Sequence, residues 1–275
     1  MSESQSTVVP KGFKAAAVKS GIKPSGGLDL AILVADGPCI GAGTFTTNRI
    51  CAAPVRWSKE CLPSTEIRAI VVNAGNANAA TGEQGFNNSR KTAELAASLI
   101  GCRPEQVLVA STGVIGHQLP MERLEAGLKS AFGQLSHDAD AFGLASRAIL
   151  TTDTRPKQIT AQIETSAGTF QLFGMAKGAA MIGPRMATML AFLLTDAPIL
   201  PDHLQPILSK AVDGSFNCVS VEGHTSTNDT VFLLSQAPKG TAPLKGKDLE
   251  QFAEAVRSVC EYLARQMADD GEGAT

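Results

Sequence analysis

Aromatic side chains make up only 5% of the 275 residues, with one Trp and one Tyr, too few for a platform on which nucleic-acid bases stack. An excess of either charge is missing as well. The formal net charge is −2, which leaves no electrostatic footprint for nucleic acid or an anionic membrane. The longest uncharged apolar stretch, near residues 186–194, falls well short of the ~20 residues that cross a bilayer. The polar start Met-Ser-Glu-Ser-Gln-Ser-Thr lacks the basic-then-apolar pattern of an export signal. Cysteines stand at 39, 51, 61, 102, 218 and 260, with no C-x-x-C pair and no close His. Neither a zinc centre nor a secreted disulfide framework is expected. Together these absences point to a cytoplasmic protein with no metal, no nucleic-acid partner and no membrane partner.

What is present is an ordinary globular composition, 44% hydrophobic and 18% charged, long enough for one large domain or two small ones. Residues 1–12 read as a flexible tail. Leu28–Ala35 reads as a buried strand closed by a turn at Asp36-Gly37-Pro38. Gly41–Asn48 carries two glycines of a dinucleotide loop but lacks the third glycine and the following helix, so no nucleotide site is expected there. Arg68–Asn73 is a strand that runs into the glycine- and amide-rich stretch Ala74–Gly85. That stretch is either a site at a strand's C-terminal end or a turn whose asparagines bond their own backbone.

A helix is expected over 88–100, a strand over Gln106–Ala110 and a helix carrying Met121, Leu124, Leu128, Phe132 and Leu135. The strand leads into Ser111-Thr-Gly113, which either presents N–H groups and a hydroxyl together, as an oxyanion hole requires, or is only a turn. A second helix spans about 138–150, and Ile159–Glu164 with Thr169–Phe173 reads as a hairpin. After it come a helix near 202–213, a strand over Thr230–Ser235 and a closing helix with Leu249, Phe252, Val256, Val259, Leu263 and Met267 on one face. Strands and helices interleave without a regular βαβ period, which predicts a mixed α/β fold. None of His117, His137, His203 and His224 sits in a triad-like or metal-binding neighbourhood.

Between the hairpin and the 202–213 helix lies the stretch Lys177–Asp196. It starts with a lone cation in a run of small residues, breaks at Gly183-Pro184 and then turns apolar around one hydroxyl, Thr188, preceded by Ala187. A hydroxyl in a buried strand needs a hydrogen-bond partner; a β-branched strand residue bonding a nearby carbonyl is the plain reading. The stretch nevertheless resembles the self-cleavage segment of the ornithine acetyltransferase (glutamate N-acetyltransferase) family. Other stretches match the same family in order: Gly21-Ile-Lys23 with Asp29, Phe45–Arg49 with Ala52-Ala-Pro54, Val72–Asn78 with Thr81–Gly85, Ser111–Gly116, Thr151–Thr154, Thr225–Thr230 and Asp270–Thr275.

The resemblance implies a self-cleaving fold with an N-terminal threonine nucleophile. Cleavage between Ala187 and Thr188 would divide the chain into an α-chain region, 1–187, and a β-chain region, 188–275. Thr188 matches the nucleophile, Thr112 and Gly113 the oxyanion-hole pair, and Thr151, Lys177 and Glu272 substrate-binding positions. The implied reaction moves acetyl from N-acetylornithine to glutamate through an acetyl-threonine. No cofactor is implied, acetyl-CoA stands open as a second acetyl donor, and two α- and two β-chains are the implied assembly. Family members run more than a hundred residues further, so the chain is expected to be a shortened, split or degenerate member. Two alternatives stand beside this reading: an N-terminal-nucleophile aminopeptidase or amidase, and an uncleaved, inactive binding or structural paralogue.

Overall fold

The computed structural model describes residues 8–180, 189–221 and 223–273. The chain opens with β1 (Phe13–Val18) and β2 (Leu30–Phe45), then α1 (Ala53–Cys61), β3 (Ser64–Asn76), α2 (Gly82–Ile100) and β4 (Val107–Val114). Helices α3 (Met121–Phe132) and α4 (Ala139–Ala148) precede the hairpin of β5 (Lys157–Thr165) and β6 (Gly168–Lys177). The remainder is β7 (Leu190–Thr195), α5 (Pro201–Asp213), β8 (Thr230–Ser235) and α6 (Gly246–Asp269). All the strands join one sheet in the order β4-β3-β2-β8-β7-β6-β5, with β1 paired to β2.

The long strand β2 organises this sheet. Its first half, Leu30–Ala35, pairs with β1 and β3; its second half, Ile40–Phe45, pairs with β8. Between them the register with β3 slips, so that Val34 opposes Ala69 while Cys39 opposes Ile67. The turn expected at Asp36-Gly37-Pro38 is this irregularity, and the strand continues through it. Pro38 has no N–H to give a ladder and Gly37 bends freely, so both suit a bulge that re-aims a strand without ending it. The pairs β3–β4 and β7–β8 are parallel and the others antiparallel. Each parallel pair needs a long crossover, which α2 supplies in the first case and α5 in the second.

Side chains alternate faces along every strand, and the alternation sorts them into layers. Leu30, Ile32 and Val34 of β2 join Val71, Val107 and Val109 in a core capped by Ala93 of α2 and Leu124 and Leu128 of α3. The opposite faces of the same strands, through Ala31, Leu33, Ile70 and Leu108, pack with Phe173, Phe192 and Phe232 of β6–β8. The sheet therefore folds over along β2, enclosing an inner core that α4 closes with Phe142 edge-on to Phe173 at 5.3 Å. The outer face of β6–β8 is covered by α5 and α6, with Leu204, Leu208, Phe252, Val256 and Leu263 fully buried. The result is two layers of strands between layers of helices.

Two elements were not expected. β1 reads Phe-Lys-Ala-Ala-Ala-Val, a run poor in β-branched residues, and takes its place by pairing with β2. α1 is short and begins with Ala53-Pro54, where proline is tolerated in the first turn. Within the tail expected over 1–12, residues 1–7 lie outside the described residues. Pro10 is buried and the Lys11 amide donates to Asp196 Oδ2 at 3.1 Å, so the chain is anchored from there. Among the described residues no helix is long and apolar enough to cross a membrane. The six cysteines are free thiols, and burial pushes Cys260 and Cys61 each up to about 12.

Candidate active site

The C-terminal ends of β3, β4 and β6 meet at a cleft of about 560 Å³, lined by Lys23, Gly75, Thr112, Gly113, Thr151 and Lys177, among others. Four residues expected from three separate sequence motifs, Thr112, Gly113, Thr151 and Lys177, are thus brought together. Lys177, the last residue of β6, is buried at 2% exposure. Its Nζ donates to Thr151 Oγ1 at 2.7 Å and to Thr112 Oγ1 at 3.3 Å, with Asp153 Oδ2 3.9 Å away. Burial lowers the Lys177 ammonium pKa; Asp153 and Asp229 oppose that shift, whereas Lys157 and Lys23 add to it. Because Thr112 Oγ1 accepts from Lys177, its single proton is left to donate to something else.

Gly113 owes its identity to a close approach. A Cβ there would lie 2.3 Å from the Gly75 carbonyl carbon and 2.5 Å from the Asn76 nitrogen, and its φ of +133° is one that side-chain-bearing residues avoid. β4 can pass this close to β3 only because residue 113 has no side chain. In the neighbouring amide-rich stretch Gly75 lines the cleft, while the asparagines bond backbone. Asn73 Nδ2 reaches Asn76 O at 2.8 Å, and Asn78 Nδ2 reaches Gly85 O at 2.9 Å. Asn228, just before β8, ties both halves of the fold to this corner by donating to Ala77 O and Ser111 O at 2.7 and 2.8 Å. Asp29, fully buried, clamps the loop that carries Lys23 to the cleft by accepting from the Ser20 and Lys23 amides.

Behind Lys177 lies a charge network that sequence reading missed. Lys157 is buried and its Nζ lies 2.7 Å from Asp153 Oδ1 and 2.5 Å from Asp270 Oδ2. Asp153 also accepts the Gly178 amide at 2.6 Å, and Asp270 accepts the amide and hydroxyl of Thr154. Burial alone would raise the Asp153 carboxyl, but Lys177, Lys157 and the Gly178 amide outweigh it and hold the group below the usual carboxylate range. Asp270 is likewise held low by Lys157 and Thr154 against the effect of burial. The signal available in sequence was an Asp inside each of two quoted motifs, 151–154 and 270–275; nothing linked them to Lys157.

Glu272 follows this network. Its amide donates to Ala179 O at 2.7 Å, but its side chain is exposed and is not among the groups lining the cleft. Ala187 and Thr188 lie outside the described residues. The chain on either side of that segment is held: Ala180 lines the cleft, and the Met189 amide donates to Asp229 Oδ1 at 2.9 Å. None of the four histidines lines the cleft.

The fold is of a known class. It is similar to that of the L-aminopeptidase D-Ala-esterase/amidase from Ochrobactrum anthropi, described as a variant of the Ntn hydrolase fold. That likeness has a TM-score of 0.57 at 11% identity over 95% of this chain and 85% of that one. More specifically, residues 14–275 match the ArgJ family, and the chain belongs to it. The arginine biosynthesis bifunctional protein ArgJ of Thermosynechococcus vestitus is 46% identical over 268 residues, 96% of this chain. The chain spans 64% of the length of that protein. The solved ornithine acetyltransferase of Mycobacterium tuberculosis, complexed with ornithine, is 38% identical with a TM-score of 0.61, covering 66% of this chain and 96% of that one.

Proposed function

We propose that this chain carries the nucleophile half of an ornithine acetyltransferase, which moves acetyl from N-acetylornithine to glutamate after cleaving itself between Ala187 and Thr188. The observation that carries the reading is the meeting of Thr112, Gly113, Thr151 and Lys177 at one cleft, next to the chain that leads to Thr188. In the precursor the Thr188 hydroxyl attacks the Ala187 carbonyl, and hydrolysis of the resulting ester frees the Thr188 amine. That amine, with an unperturbed pKa of about 7.7–8.0, is a local base for the hydroxyl beside it.

The hydroxyl then attacks the acetyl carbonyl, ornithine leaves, and glutamate takes the acetyl group in a second half-reaction. Thr112, with its hydroxyl proton uncommitted, and the Gly113 amide stabilise the oxyanion, each such donor contributing about 3 kcal/mol of barrier lowering. Lys177, held between Thr151 and Thr112, receives the carboxylate of the amino-acid substrate. Glu272 is the partner of the substrate's amino group on this reading; its amide is fixed to Ala179 O while its side chain is exposed outside the cleft. Cleavage is further supported by the Mycobacterium tuberculosis relative. Two thirds of this chain accounts for nearly all of that solved chain, which is therefore close in length to residues 1–187. Two α- and two β-chains form the assembly on this reading.

The test is the intact mass of the purified protein beside Thr188→Ala, followed by acetyl transfer from N-acetylornithine to glutamate. Two fragments meeting at Ala187 and Thr188, with an intact variant, are expected; one intact chain in both overturns the reading in favour of an uncleaved paralogue. Replacing N-acetylornithine with acetyl-CoA in the same assay decides whether the second donor is used. The aminopeptidase-like fold favours one competing reading, in which water is the acceptor. Acetate release without glutamate, at the rate of transfer with it, would establish that reading instead.

A further inference from the structure

Lys177 is one of two cations that line the cleft. The other is Lys23, and among the described residues no acidic side chain lines it. Asp29 Oδ2 accepts the Lys23 amide at 2.9 Å. The residue also lies against Gly75, where a Cβ would meet Lys23 Cγ at 3.0 Å and its Cα at 3.1 Å. Gly75 is in turn the backbone that Gly113 approaches, so Lys23, Gly75 and Gly113 form one continuous wall of the cleft.

The Lys23 ammonium donates to Leu28 O at 2.7 Å and to Ala148 O at 3.1 Å. Ala148 ends α4, where a cation on the last carbonyls is favourable. Those two bonds use two of the three protons of the ammonium, and among the described residues the third has no acceptor. Burial lowers the Lys23 pKa, while Asp29 and Asp153 oppose that shift through space. The two ammoniums hang on one short stretch of chain: Lys23 on Ala148 O, and Lys177 on Thr151 Oγ1 at 2.7 Å. Three residues span at most about 11 Å, a gap that one small dicarboxylate bridges with a hydrogen bond at each end.

We infer that Lys23 is a specificity-determining residue of this cleft, its ammonium receiving the side-chain carboxylate of the glutamate acceptor while Lys177 receives the α-carboxylate. The inference rests on the acetyltransferase reading for the identity of the acceptor. Glutamate brings two carboxylates to two cations. Ornithine, the amino acid that leaves, presents a side-chain ammonium to Lys23 and is repelled, and like charges brought together discriminate as strongly as opposite ones. Lys23 thus favours glutamate over ornithine as the amino acid that takes the acetyl group from the enzyme.

Titration calorimetry of the purified protein with L-glutamate and with L-glutamine, which keeps the shape and loses the side-chain charge, reads the contact directly. The wild type should bind glutamate about 10-fold or more tightly than glutamine, the worth of a charge-assisted hydrogen bond. Lys23→Met keeps a stem against Gly75 and should bind the two alike; Lys23→Arg should restore part of the preference. In the transfer assay Lys23→Met should raise KM for glutamate by a similar factor and let ornithine compete better. A residue that only ties its loop to Leu28 and Ala148 would weaken both ligands equally. A glutamate preference kept in Lys23→Met, or absent from the wild type, therefore overturns the inference. Wild-type protein that prefers glutamate yet transfers no acetyl would sink the acetyltransferase reading alone and leave a dicarboxylate site at Lys23.

Discussion

Replacing Lys157 with methionine removes one ammonium and keeps most of the side-chain volume. In the folded protein that ammonium lies at 2.7 and 2.5 Å from the carboxylates of Asp153 and Asp270, and all three side chains are buried. The variant leaves two buried carboxylates without their shared counter-ion; Asp153 keeps Lys177, 3.9 Å away, and among the described residues Asp270 keeps the amide and hydroxyl of Thr154. Breaking a buried ion pair by removing one partner costs about 3–5 kcal/mol, a large part of the stability of an ordinary domain. Urea unfolding of both proteins near neutral pH should show a loss of that size. The pH dependence gives a second, independent reading. In the wild type both carboxyls titrate below their unfolded value of about 3.9, so their contribution is present above that pH and is lost on acidification below it. In Lys157→Met, burial raises the carboxyl pKa values, so protonation relieves the variant and the gap between the two proteins narrows as pH falls. A loss under about 1 kcal/mol, the level of an exposed pair, would refute the view that Lys157 is a buried keystone. So would a gap that widens in acid.

Lys177→Ala should raise KM for both N-acetylornithine and glutamate while leaving self-cleavage largely intact; unchanged kinetics over a full substrate range would remove Lys177 from the site. Gly113→Ala forces a methyl against the Gly75 and Asn76 backbone, so β3 and β4 must move apart at the cleft. Acetyl transfer should fall by about 100-fold or more, and retention of wild-type kcat would show that the close approach is not needed for the oxyanion.

Much of the fold was legible because its elements announce themselves locally. The expected strand Thr230–Ser235 is β8 to the residue, and the apolar face of the closing helix is the one α6 buries. β1 and α1 were hidden for opposite reasons: one has alanines where a strand usually shows branched residues, the other is nine residues long with a proline near its start. At Asp36-Gly37-Pro38 the expected turn is not there: β2 runs through these residues with a shift of register, because the partner strand, not the local sequence, decides between a turn and a bulge. Ser111-Thr-Gly113 offered itself locally as an oxyanion hole or a turn, whereas Thr151 and Lys177, which carry no catalytic signature one at a time, were reached only through resemblance to a family. The Asp153–Lys157–Asp270 network was out of reach, because Lys157 and Asp270 are 113 positions apart and nothing in composition or period links them.

The way the sheet is woven bears on what a cut at residue 187 does to the molecule. β7 lies between β6 and β8, and β8 lies between β7 and β2, so the segment after the cut supplies two interior strands of a sheet whose remaining strands all precede it. Severing the chain there removes a covalent link but no strand pairing. The two pieces stay together as a subunit pair does, and unfolding becomes dissociation. The melting temperature of the cut protein should then rise with its concentration, as mass action requires, and more steeply than that of an uncut chain, in which the two segments stay covalently joined.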